Sequence, residues 1–211
     1  MPGKNKIAFI GYSGHAYVCM DVARTNGFEI EGYCDSEEKK NNPFDLKYLG
    51  VEDDFFCHTP MLGAFVAIGS NALREKIVHK FPKQGFVNLV HPSAVISATA
   101  SVTADANTLI NPNVSINALA QIGRGVILNT NCTIEHECII GDFAHIAPGA
   151  VLAGNVSVGK RTFVGANSVV KQGVRIGNDV TIGAGTVIIN DIEDGATVVG
   201  NPGKIIKKHN L

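Results

Sequence analysis

The sequence has no tryptophan and no surplus of charge of either sign, its formal net charge being −1. With no basic stripe and no tryptophan, nucleic acid is not expected as a partner. No apolar stretch approaches the roughly 20 residues needed to span a bilayer, so no membrane association is expected. The start, Met1 to Gly11, holds a short apolar run without a small-residue cleavage site followed by polar sequence. A leader peptide is therefore not expected. The five cysteines are an odd number and show no Cys-x-x-Cys spacing that would suggest zinc. These absences describe a reduced, soluble, cytoplasmic protein. At 211 residues it holds one large domain or two modest ones.

What is present is a ladder. From Ile110 to Ile188 an aliphatic residue falls at every sixth position without a miss, through Ile134, Ile140, Ile146 and Leu152. A second register two residues earlier takes small or medium side chains, from Thr108 and Val114 to Val156 and Thr162. It includes Cys132 and Cys138, which read as core packing rather than thiol chemistry. Side chains two apart that face one way mark a short extended segment. Six residues are too few for a hairpin and too many for one strand, so the chain turns within each repeat. Gly123, Gly141, Gly159 and Gly177 recur eighteen apart, so three short strands make one coil. The coils stack as a triangular parallel β-helix. Val102 to Ile110 is eight residues, which predicts a looser first coil or a two-residue bulge.

The first ninety residues lack this period. Residues 6–10 read as a strand running into the Gly11-Tyr12-Ser13-Gly14-His15 turn, then a helix over 16–25 that stops at Asn26-Gly27. A second strand over 29–34 ends in Asp35, residues 43–56 read as irregular, and a third strand spans 65–68. A helix over 72–80 and a strand over 86–90 follow. Such alternation predicts a Rossmann-like α/β domain over 1–90 and the β-helix over 91–211.

Two places could carry chemistry. The Gly11-x-x-Gly14 turn sits where an open α/β sheet offers helix N–H groups to a phosphate. Asp35 stands where an acid commonly takes a ribose hydroxyl; a bare tight turn explains the glycines as well, because the full G-x-G-x-x-G is absent. The second place is Glu135-His136-Glu137, which faces out from a corner because Ile134 and Cys138 face in. A histidine beside a carboxylate suits a general base, and a solvated charged corner is the plainer alternative. His145 precedes ladder residue Ile146 and so points outward from the coil.

Ile134-Glu135-His136-Glu137-Cys138, Ile140-Gly141, His145 and Ala153-Gly154-Asn155 resemble the hexapeptide-repeat sugar O/N-acetyltransferases of the PglD and NeuD type. The Gly11-Tyr12-Ser13-Gly14-His15 turn and Ile68-Gly69-Ser70-Asn71 with Arg74 match the same group. The resemblance implies a left-handed coil, a homotrimer with the active site between chains, and acetyl-CoA as co-substrate without a metal. It implies His136 as general base and Glu137 as the acid that raises its basicity. Asn129, Ser13, Gly14, His15, Asp35, Ser36 and Gly69 would hold a UDP-linked 4-amino-4,6-dideoxy sugar. His145, Gly154, Ala166 and Ala184 would line the acetyl-CoA channel. Two positions depart from the group's pattern: Tyr12 is bulky where a small residue is expected, and Ser36 replaces an acid.

Other readings use the same features. A GDP- or CMP-linked sugar or a sialic acid hydroxyl would keep the chemistry and change the acceptor. A zinc hydratase of the γ-carbonic-anhydrase kind shares the coil but needs three converging histidines. A non-catalytic sugar-nucleotide-binding protein would leave Glu135-His136-Glu137 idle.

Overall fold

A computed structural model describes residues 6–58 and 63–209. The first five residues of the segment read above for a leader lie outside that range. In the N-terminal domain β1 (Lys6–Ile10), α1 (Gly14–Thr25), β2 (Glu29–Cys34), α2 (Glu52–His58), β3 (Gly63–Val66) and α3 (Asn71–Lys80) follow in order. The three strands form a parallel sheet in the order β2-β1-β3. Its strands are aliphatic and aromatic because both faces are covered: Ile7, Phe9, Tyr33, Phe65 and Val66 are fully buried.

Three expectations need correction. A helix over 52–58 takes up the end of the segment 43–56 that was expected to be irregular; Glu52, Asp53 and Asp54 fill the first turn, where acids complement the helix dipole. The third strand begins two residues early, at Gly63, and leaves Ala67 and Ile68 in the loop beyond the sheet. The strand expected over 86–90 is divided. Phe86 makes one bridge to Ala64 of the N-terminal sheet, while Leu89–Val90 pairs with Leu109–Ile110 as the first rung of the β-helix.

Beyond it the chain forms a β-solenoid of about six turns. Its strands, most of them two residues long, stack into three faces of eight, six and five strands. The eight-stranded docking face carries Ile127–Leu128, His145–Ile146 and Phe163–Val164; the second carries Thr133–Ile134 and Val151–Leu152; the third carries Ile139–Ile140. Every residue of the aliphatic ladder is buried in one continuous core. The hydroxyls of Thr108 and Thr162, buried in the second register, donate to the carbonyls of Gly123 and Gly177. The glycines eighteen apart sit where coils touch: a Cβ on Gly141 would lie 2.8 Å from the backbone nitrogen of Lys160.

The corners repeat as regularly as the ladder. From Asn107 to Gly185 every sixth residue has positive φ. Asparagine or glycine occupies most of these positions, as the left-handed region favours. Leu119, Glu137, Phe143 and Arg161 are the bulky or charged exceptions besides Asp179.

The N-terminal domain sits on the docking face. Helix α1 packs with Leu89, Leu109 and Ile127 in one cluster. The eight-residue slip is a bulge with a purpose: Asn107 accepts the Val66 N–H at 2.6 Å and donates to the Val66 carbonyl at 3.2 Å. Its side-chain amide thereby extends the N-terminal sheet. Arg74 is fully buried and donates to the carbonyls of Gly125 and Phe143, both at 2.8 Å, and of Ile68 at 3.0 Å. Glu75 joins Lys160 and Arg161, and Arg161 also grips Asp179.

Candidate functional site

The site residues fall into three groups. The first surrounds a cleft of about 370 Å³ at the carboxyl ends of β1, β2 and β3. Gly11 has φ +91°, and a Cβ there would press on Ile68 at 2.7 Å, so the turn requires glycine. Ser13 caps α1 with extended backbone and no side-chain cap bond. The opening N–H groups of the helix are thus left for an anion. Ser13, Asp35, Ser36 and Gly69 line this cleft.

Asp35 is heavily engaged. One oxygen accepts the Tyr12 N–H at 3.1 Å; the other accepts the Ser36 N–H at 2.7 Å and pairs with Lys39 at 2.9 Å. Burial alone would raise its pKa, but the Lys39 ammonium and these N–H bonds prevail and hold it below the usual value. Tyr12, the first departure, does not obstruct the cleft with its ring. The ring is buried, stacked on Tyr33 at 4.1 Å, and its hydroxyl donates to Asn42 at 2.6 Å.

The second group lies where the cleft meets the docking face. His145 points out of the coil, as its position predicts, yet it is buried beneath the N-terminal domain. Its ring lies 6.3 Å from that of His15 and 5.1 Å from Phe163. Burial first, then the Arg74 charge, lowers His15 to about 4. Burial, Arg74 and His15 together lower His145 to about 3, against the carbonyl of Gly69. Both rings are neutral at pH 7, so the Asn129 amide donates to His145 Nε2, at 3.3 Å. Asn129 Oδ1 in turn accepts from Asn111 at 2.9 Å.

The third group is the corner between the second and third faces. His136 Nδ1 lies 3.0 Å from Glu137 Oε2, both side chains about half exposed. Gly154 occupies the equivalent corner one coil on, and its missing side chain leaves room for the imidazole: a Cβ would stand 2.5 Å from Nε2. Glu137 also borders a hollow of about 440 Å³ with Thr99, Ser101, Leu119 and Gln121.

One chain therefore brings Ser13, His15, Gly69, Asn129 and His145 together, and separately His136, Glu137 and Gly154. Asn129, Ala166 and Ala184 share the preceding corner, between the docking and second faces. A strand of the second face divides that corner from His136. His145 thus lies beside the cleft at the carboxyl ends of the N-terminal strands rather than beside Gly154. The residue that sequence reasoning missed is Asn107, which holds Val66 and whose signal was the slip of eight. Leu119 was missed too; a corner position held by neither asparagine nor glycine would have found it. Among the described residues no three His, Cys, Asp or Glu side chains gather where a metal could sit. No described helix is long and apolar enough to cross a membrane.

Comparison with known proteins matches these parts separately. Residues 6–81 fit the PglD N-terminal domain. Residues 119–154 fit the bacterial transferase hexapeptide (six repeats), and 155–189 the hexapeptide repeat of succinyl-transferase. A histidine-to-asparagine variant of perosamine N-acetyltransferase from Caulobacter crescentus, in complex with CoA and GDP-perosamine, is 33% identical. It superimposes with a TM-score of 0.90 over 98% of this chain and 99% of that one. The acetyltransferase domain of PglB from Neisseria gonorrhoeae, in complex with acetyl coenzyme A, is 32% identical with a TM-score of 0.89, covering 97% and 100%. GDP-perosamine N-acetyltransferase of Escherichia coli O157:H7 is 30% identical over 122 residues, 56% of this chain; the match spans about half, 52%, of that curated relative. With both domains matched and a full-length relative at 33% identity, the chain belongs to the hexapeptide-repeat sugar N-acetyltransferases.

Proposed function

We propose that this protein transfers the acetyl group of acetyl-CoA to the 4-amino group of a GDP-linked 4-amino-4,6-dideoxy sugar, with GDP-perosamine the leading acceptor. The UDP-linked acceptor expected from the sequence gives way here, because the Caulobacter relative is in complex with GDP-perosamine and the Escherichia relative is named for it. Both of those relatives are N-acetyltransferases, which favours nitrogen over a sugar hydroxyl.

The observation that carries the mechanism is the His136–Glu137 pair at 3.0 Å on an exposed corner. Glu137 accepts from Nδ1–H and fixes the tautomer, so Nε2 presents its lone pair. The acceptor nitrogen attacks the thioester carbonyl and passes its proton to Nε2 as the C–N bond forms. The C–S bond then breaks, and the imidazolium returns the proton to the leaving CoA sulfur. Direct transfer needs one base and good positioning, with no acyl-enzyme. The Gly154 N–H donates to no backbone carbonyl among the described residues and suits the oxyanion.

His136 and the nucleotide cleft lie on different corners, so the reading includes a second copy that brings one to the other, in a trimer. The outward row Val95, Ser115, Thr133, Val151 and Val169 on the second face is free of charge and fits such self-association. Ala166 and Ala184, small and on one corner, suit the pantetheine arm of acetyl-CoA.

The test is CoA release from acetyl-CoA with purified protein and GDP-perosamine, its UDP and CMP counterparts, and a sialic acid. Rapid release with the GDP sugar is the expected result. Release confined to the UDP sugar would restore the acceptor expected from sequence, and silence with all acceptors would favour a binding protein.

A further inference from the structure

We propose that Glu52 reads the base of the nucleotide, accepting from the N1–H and N2–H donors of guanine and turning uracil away. This rests on the nucleotide-sugar reading of the cleft and deepens it. The cleft has two distinguishable ends. At one, Gly69 and Ser13 lie beside the β-helix, where the Gly69 carbonyl engages the His145 ring and His145 meets Asn129. At the other stand Ser36 and Lys39, beyond β2, and Glu52, the first residue of α2. A nucleotide sugar whose amino group points toward Asn129 places its base at the Glu52 end. Ile10, Ile68, Leu73 and Ile77 supply the cleft's apolar walls, and Leu73 is 44% exposed despite being aliphatic. Such a surface suits the flat face of a base.

Two carboxylates line the cleft, and only one has capacity to spare. Asp35 is occupied by the Tyr12 and Ser36 N–H groups, the Ser36 hydroxyl and Lys39. Glu52 pairs with Lys80 only at 3.8 Å, beyond hydrogen-bond distance. No asparagine or glutamine lines the cleft. An ionised carboxylate only accepts. The Watson–Crick edge of guanine presents two adjacent donors to it, a charge-assisted and bidentate match. Uracil presents one donor between two acceptors, so its carbonyl oxygens would face the carboxylate oxygens. A site built around donors rejects an analogue that lacks them, because its polar groups are then left unpaired.

The experiment is calorimetric titration of GDP, IDP and UDP into the full-length protein and its Glu52→Gln variant, with melting curves to establish that both are folded. IDP keeps the N1–H of guanine and lacks the N2 amine. Wild type should bind GDP more tightly than IDP and IDP more tightly than UDP. Glu52→Gln should weaken GDP by roughly 10- to 100-fold, the usual scale for a charge-assisted pair, and should compress the GDP-to-IDP ratio while leaving UDP little changed. If the variant keeps the wild-type ratio, Glu52 is not the reader although the nucleotide assignment stands. If wild type prefers UDP or binds no nucleotide, the GDP reading and this inference fall together.

Discussion

The imidazole of His136 rests on the backbone of Gly154, one coil above it. A methyl group on Gly154 would stand 2.5 Å from Nε2, closer than side-chain carbons approach, and 3.1 Å from Nδ1. The histidine and its seat are eighteen residues apart in sequence, one turn of the helix.

Gly154→Ala should therefore turn the ring away without unfolding the coil, since the φ of Gly154 is one that alanine adopts. Turnover should fall by roughly 100-fold or more, while His136→Ala should lose roughly 100- to 10,000-fold, the span for a missing general base. Melting should be nearly unchanged in both. A Gly154→Ala enzyme with normal kcat would show that the ring has no fixed seat.

Arg74 is buried with no carboxylate on its guanidinium among the described residues; its side-chain partners there are carbonyl oxygens and Asn71 Oδ1. Burial lowers its pKa to about 10, so it stays charged at neutral pH. Arg74→Met should strand the carbonyls of Gly125 and Phe143 in the interface and cost roughly 3 kcal/mol. Arg74→Lys should recover only part of it, because an ammonium lacks the guanidinium fork. Chemical denaturation of the three proteins checks the order, and a Met variant as stable as wild type would contradict it.

His15 and His145 give stability a pH dependence of known sign. Both pKa values are lowered in the folded chain, to about 4 and about 3, against an ordinary value of 6.5. The unfolded chain takes up protons near pH 6.5 that the folded chain refuses. The contribution is complete above pH 6.5 and is lost as pH falls from there toward 4 and 3. Melting temperature should drop between about pH 7.5 and about pH 5. His145→Gln should flatten that slope; an equally steep decline would place the titration elsewhere.

Leu119 holds φ +63° and is 55% exposed, so it carries left-handed strain with little burial in return. Leu119→Asn should stabilise by roughly 1 kcal/mol, a rise of about 2–4 °C in melting temperature. Phe143→Asn relaxes the same conformation but removes a ring buried against the N-terminal domain, and should destabilise. If both substitutions move the melting point the same way, corner strain is not what sets these positions apart.

The solenoid was legible because its signal repeats: each ladder residue is tested again six positions later, and all are buried. The pair His136–Glu137 was legible because the ladder fixes what points out at a corner. The N-terminal domain was harder. Helix α2 lacks an apolar stripe and declares itself through an acidic first turn, which is a weak mark beside a polar loop. The burial of His145 was not legible, since the period places it outside the coil and says nothing of a second domain covering it. Nor does the sequence show that Tyr12 turns its ring into the core, away from the cleft, because that depends on Tyr33 and Asn42 arriving from elsewhere.

The amide of Asn107 finishes the edge of a sheet to which it does not belong. Left alone, the Val66 edge would present unpaired backbone groups, the kind that recruit stray strands. The two halves are consequently not portable modules. A graft of the first ninety residues onto another coil inherits an open seam unless it also carries the two extra residues that break the rhythm of six. The irregularity in the repeat is the joint, and it travels with both halves or with neither.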